Sequence, residues 1–287
     1  MKPEVSECRT IYGSRTSLCW FDTRVFLLAP IGLAAHYTFR APGQRRRRDK
    51  AGRPRENKSM IKVNGIHHIA IMAADIREHV AFFSDVLGCK LSAIFDMHGV
   101  PGGVHAFLHM DDHSYFSIVE LPQVKDIPIE LGVTHAGTGA APSAPGTMQH
   151  LAFRVDTPEE LLAIRDRIRK KGVNVIGPLD HAMCQSIYFA GPDQLTLEVA
   201  CSDEAINPEA WIDPAVIARL GISDEDLARY KSPDAYAGEG GRVAQPPYDP
   251  AKPHQAYPEP MYKAMLAAPD EAITKSAKFE PPVKIAS

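Results

Sequence analysis

Four residues of this chain recur in type and in place. His68 stands in IHHIAI and His150 in MQHLAF, 82 positions apart, while Glu120 stands in SIVEL and Glu198 in LTLEV, 78 apart. The spacing from His to Glu is 52 in the first stretch and 48 in the second. A lone carboxylate in a half-apolar, strand-like run costs several kcal/mol unless a cation meets it. Two neutral imidazoles and two carboxylates are the donor types that bind a divalent metal ion. Of the adjacent pair His67 and His68, the match to His150 selects His68, and alternation along a strand sends His67 to the opposite face. All four donors converge if the two stretches belong to two copies of one unit packed about a pseudo-two-fold axis.

The surrounding pattern supports such a duplication. From Ile66 the sequence reads as a strand (IHHIAIM), a helix, and strands near CKLSAIF, GVHAFLHM and YFSIVEL. Asp75 and Glu78 form a capping box, Ile76, Val80, Phe83 and Leu87 share a helical face, and Gly88 marks the stop. The order returns with MQHLAFRV, then a helix opened by Thr157, Pro158 and Glu160 and closed by Gly172, then strands near VNVIGP, SIYFAG and LTLEVA. The expected fold is therefore α+β, two βαβββ modules at about 62–121 and 148–201 paired into a curved mixed sheet around a metal site. The Gly-, Pro- and Ala-rich segment 122–147 joins them.

Composition bounds the remainder. Of the 287 residues, positions 1–59 carry 13 Lys/Arg against 5 Asp/Glu, which leaves 19 against 30 for the rest. An acidic body excludes nucleic acid as the partner of the folded part. Five scattered cysteines without a C-x-x-C point to a reducing compartment and no disulfide framework, hence a cytoplasmic protein. The longest apolar run, Val25 to Ala35, is too short to span a membrane and contains Pro30. Residues 1–59 are expected to be a disordered basic leader, or sequence upstream of a start at Met60. Residues 202–287 hold 12 of the 24 prolines. They read as two short helices with Trp211, Ile217, Leu220 and Leu227 as docking residues, followed by an extended tail. The tail's Tyr248, Tyr257 and Tyr262 are expected to pack along the same or a neighbouring subunit of a homodimer or higher homo-oligomer.

IHHIAI, SIVEL, MQHLAF and PDQLTLEV resemble the metal-ligand strands of the vicinal oxygen chelate superfamily. That superfamily includes glyoxalase I, methylmalonyl-CoA epimerase, fosfomycin and bleomycin resistance proteins, and extradiol dioxygenases. The resemblance covers residues 62–201 and implies a metal that binds two neighbouring oxygens of a small-molecule substrate. His181, Ile187, Tyr188, Pro192 and Glu198 also resemble the extradiol dioxygenase signature. Leu179, Gly191 and Gln194 depart from it. On that resemblance Fe(II) or Mn(II) is held by His68, His150 and Glu198, His181 is the acid/base, and Tyr188 donates a hydrogen bond to substrate oxygen. The same donors accept Zn, Ni or Co. If Glu120 is a fourth ligand, the resemblance is instead to glyoxalase I or the epimerases, where Glu120 or Glu198 acts as the base beside a metal-polarised carbonyl. A ligand-sequestering resistance protein is the third reading.

Overall fold

The computed structural model describes residues 61–239 and 241–285, so the basic leader 1–59 lies outside the described residues. Both modules form where expected. The first contains β1 (His68–Met72), α1 (Ile76–Phe82), β2 (Lys90–Asp96), β3 (Val104–Asp111) and β4 (Ser114–Glu120). The second contains β5 (Leu151–Arg154), α2 (Pro158–Lys170), β6 (Ile176–Asp180), β7 (Gln185–Ala190) and β8 (Thr196–Cys201). Each makes a four-stranded mixed sheet, in the orders β1-β4-β3-β2 and β5-β8-β7-β6, with its first strand parallel to its last.

Local chemistry accounts for the helices. The Asp75 carboxylate accepts from the backbone N–H groups of Arg77 and Glu78 at the start of α1, and the Thr157 hydroxyl accepts from Glu160 at the start of α2. After Phe82 the first helix widens into a π turn, Phe83–Leu87, which ends at Gly88 with φ of 85°. Gly88 is needed twice over. Its φ is left-handed, and a Cβ there would stand 3.1 Å from the Arg167 guanidinium. From α2 that guanidinium donates to the carbonyls of Val86 (2.8 Å), Asp85 (3.2 Å) and Ser84 (3.4 Å), capping the first module's helix with a side chain of the second.

One apolar core joins the modules through their helix-bearing faces. Phe83 of the π turn, Phe116 and Ile118 of β4, Leu161 and Ile168 of α2, and Ile187 and Leu197 of β7 and β8 belong to a single buried cluster. Each such side chain contributes about 1.5–3 kcal/mol by burial. Because strand residues alternate in direction, the other face of each sheet turns away from this core. A polar contact crosses the same junction: Asp193, at φ 51° in the turn before β8, accepts from the Ala74 N–H at 2.7 Å and stands 3.4 Å from Nε2 of the buried His79 in α1.

Beyond the modules, three short helices, α3 (Pro208–Trp211), α4 (Pro214–Leu220) and α5 (Asp224–Lys231), replace the two expected. Pro214 starts a new helix after Asp213 has capped it. Trp211 and Leu220 are 43% and 64% exposed, so neither acts as a docking residue in the protomer. Helices α6 (Glu259–Ala267) and α7 (Asp270–Ser276) follow. Tyr248, Tyr257 and Tyr262 gather with His254 into a cluster of their own, and Phe279 stacks on His98 of the first module with ring centroids 4.0 Å apart. Among the described residues no helix is long and apolar enough to cross a membrane.

Candidate functional site

The predicted residues of the second module meet. His150 immediately precedes β5, and its Nε2 lies 2.9 Å from Oε2 of Glu198, a residue only 5% exposed in the middle of β8. Gln149 fixes the imidazole: its side-chain oxygen accepts from Nδ1, while its amide nitrogen donates to the carbonyls of Thr138 and Ala141 in the linker, each at 3.1 Å. With the proton on Nδ1, the lone pair of Nε2 faces the carboxylate. Two electron-rich atoms in contact call for a shared proton or a cation between them. An imidazole nitrogen and a carboxylate in contact are donor types that a divalent metal accepts.

Tyr188 and His181 complete this cluster. Tyr188 pairs with Glu198 across the β7–β8 ladder. Its ring stands edge-on to His150, centroids 6.2 Å apart, and its hydroxyl lies 3.2 Å from Nε2 of His181. Burial pushes the Tyr188 phenol above its usual range, and the nearby negative charge of Glu198 pushes it further the same way, so at neutral pH it is a donor. His181 is exposed in the tight turn between β6 and β7, where Asp180 accepts from the Ala182 N–H at 2.7 Å and Ala182 takes a left-handed φ of 64°. Tyr188 thus stands beside a buried carboxylate and in contact with a solvent-facing imidazole.

The first module is arranged differently. His68 opens β1, is exposed, and packs edge-on against Phe107 with centroids 5.7 Å apart. Glu120 does not join it. Its Oε2 accepts from the Ile76 N–H at 2.8 Å, at the start of α1, and Lys125 lies 3.7 Å from Oε1. A carboxylate is favourable there because the first N–H groups of a helix lack internal partners and carry positive charge. Strand register explains the difference. Ala70, two residues after His68, pairs with Ser117, just as Ala152, two residues after His150, pairs with Glu198. Ser117 is therefore the counterpart of Glu198. Glu120, three residues on, belongs to the opposite side of the strand. The spacing carried a sign of this: His68 to Ser117 is 49, against 48 in the second module.

Ser117 is fully buried, and its hydroxyl lies 2.5 Å from Nε2 of His105. Burial, and secondarily the nearby His68, hold the His105 imidazole below its usual range. Alternation in HAFLH puts His105 on the Phe107 face, yet nothing in the sequence singles out Gln149. In one protomer the four predicted ligands do not meet, and among the described residues no group of three or more His, Cys, Asp or Glu is placed to hold a metal. His68 and the His150–Glu198 pair sit on the two outward faces, and Glu120 sits on the helix side.

The sequence model of the Glyoxalase/Bleomycin resistance protein/Dioxygenase superfamily matches residues 65–199, spanning both modules. This segment is a domain of that superfamily. Solved structures with detectable likeness include a glyoxylase/bleomycin resistance protein/dioxygenase domain from Frankia sp. EAN1pec, 13% identical over 49% of this chain and 99% of that one, with a TM-score of 0.39. A glyoxalase family protein from Enterococcus faecalis is 22% identical over 47% of this chain and 96% of that one, TM-score 0.36. A fosfomycin resistance protein from Listeria monocytogenes is 20% identical over 49% and 95%, TM-score 0.34. No curated protein matches the sequence.

Proposed function

We propose that the superfamily domain is a metal-dependent, extradiol-type ring-cleavage dioxygenase that opens a catechol-like substrate with O₂. One observation carries the reading: Ser117, not Glu120, stands where the first module would place a second carboxylate. The donor set is then two imidazoles and one carboxylate, the set that leaves positions open for substrate oxygens and O₂. His68, His150 and Glu198 would hold Fe(II) or Mn(II). Bound there, the ion would supply positive charge beside the catechol oxygens and would relay electrons from the catecholate to O₂. Since His68 does not join the His150–Glu198 pair in one protomer, the set would be completed between two copies of the chain, one giving His68 and the other the pair. That makes the active form a homodimer.

The remaining residues handle protons. Tyr188 keeps its proton and donates it as a hydrogen bond to an oxygen on the Glu198 side, while His181, 3.2 Å from that hydroxyl and open to solvent, exchanges protons with water. The lyase or epimerase alternative requires Glu120 as a ligand or base, and a helix N-terminus already uses that carboxylate.

Anaerobic loading with Fe(II), followed by catechol and air, tests the proposal. Ring-fission absorbance should require O₂, vanish in Glu198→Gln, and fall about 100-fold in Tyr188→Phe with the metal retained. Turnover of a hemithioacetal or an α-carbonyl stereocentre under argon, lost in Glu120→Gln, would instead establish the lyase or epimerase chemistry.

A further inference from the structure

The outward face of the first module carries rings where the second carries charge. Phe107 pairs with Ser117 as Tyr188 pairs with Glu198, so it is the counterpart of the site tyrosine without the hydroxyl. Phe95, on the neighbouring strand opposite His105, lies nearly parallel to Phe107, at 12° with centroids 6.2 Å apart. His105 closes the group with its ring 4.4 Å from Phe107. The buried Ser117 hydroxyl pins that imidazole, which in turn holds the Phe107 ring. Phe95, Phe107 and His105 all remain half-exposed, and His68 stands beside Phe107. An aromatic wall next to a proposed metal ligand is largely apolar and half-exposed.

From this we infer that Phe95 and Phe107 form the platform on which the substrate ring lies, and that His105 and Ser117 are positioning residues for it. The inference rests on the two-copy metal site proposed above. In that site the substrate's two oxygens lie toward His150, Glu198 and Tyr188 of one copy, and its ring lies over the Phe107 face of the other. The wall then selects a planar aromatic diol over a saturated diol with the same oxygen spacing, because only a π face gains from offset or edge-on packing against Phe rings.

The test is calorimetric titration of the Fe(II)-loaded full chain under argon with catechol and with cyclohexane-1,2-diol. Catechol should bind more tightly, and Phe107→Leu and Phe95→Leu should each weaken catechol about 3- to 10-fold while leaving the saturated diol unchanged. His105→Phe, which keeps a ring but loses the Ser117 bond, should lower catechol affinity less than Phe107→Leu does. Catechol affinity unchanged in both Leu variants, with binding still abolished by Glu198→Gln, would overturn the platform and leave the metal site standing. Failure of both diols to bind the loaded wild-type chain would overturn the site and the platform together.

Discussion

Replacing the two glutamates one at a time should have opposite consequences. In Glu120→Gln the amide oxygen can still accept from the Ile76 N–H, so what disappears is the charge at the helix N-terminus and its loose contact with Lys125. The first is worth about 0.3–1 kcal/mol. The second, at 3.7 Å with Lys125 largely exposed, contributes little. A domain of this size shifts its Tm by about 2–4 °C per kcal/mol, so Glu120→Gln should melt about 1–4 °C lower by differential scanning fluorimetry. Its affinity for Mn(II), titrated calorimetrically, should not change. Glu198→Gln removes a buried carboxylate, the proposed ligand, rather than a cap. Its Mn(II) affinity should fall by at least about 100-fold, the upper end of what the loss of a mere supporting hydrogen bond costs. Loss of Mn(II) binding in Glu120→Gln would refute the register argument that assigns the fourth place to Ser117.

Two further outcomes follow from the packing. Hydrogen bonds from the Glu78 and Arg77 N–H groups hold the Asp75 carboxyl below its ordinary value of 3.8. A depressed folded-state pKa gives stability that is present above the unfolded value and is lost as pH falls through the folded one. The Tm of the wild type should therefore drop below about pH 4, and that acid-side slope should be shallower in Asp75→Asn, which keeps the cap without the charge. At the junction between modules, Asp193→Ala would leave the Ala74 N–H without its acceptor and put a Cβ-bearing residue without local hydrogen bonding at φ 51°. Urea unfolding should show a loss of about 1–3 kcal/mol. Asp193→Asn, which tolerates the left-handed conformation, should lose less.

Much of this architecture is legible in the chain itself. The duplicated βαβββ order rests on alternation and on capping residues such as Asp75 and Thr157, which act locally and are unaffected by the rest of the fold. His150, Tyr188, His181 and Glu198 are also legible as one cluster, because β7 and β8 form a plain hairpin in which separation along the chain fixes the partners. Glu120 misleads for a physical reason. Side-chain direction has a period of two, so a three-residue difference between Ser117 and Glu120 moves a residue to the other face. The spacing of 49 against 48 hints at Ser117, and the cross-strand partners of β1 decide it. The packing of both helix faces on one core is likewise not encoded in periodicity, since Phe107 and Tyr115 make the outward face nearly as aromatic as the inward one. The tail tyrosines show the same limit: their rings find partners, but those partners are one another.

Mixing two inactive variants tests the two-copy site directly. His68→Ala and Glu198→Gln each abolish one half, and when they are co-expressed, randomly assorted dimers contain one intact site in half of the molecules. Ring-cleaving activity should then return to about a quarter of the wild-type value, with Mn(II) bound at about one ion per four protomers. No recovery above the separate variants, in dimers shown to be mixed, would contradict a metal centre shared between two chains.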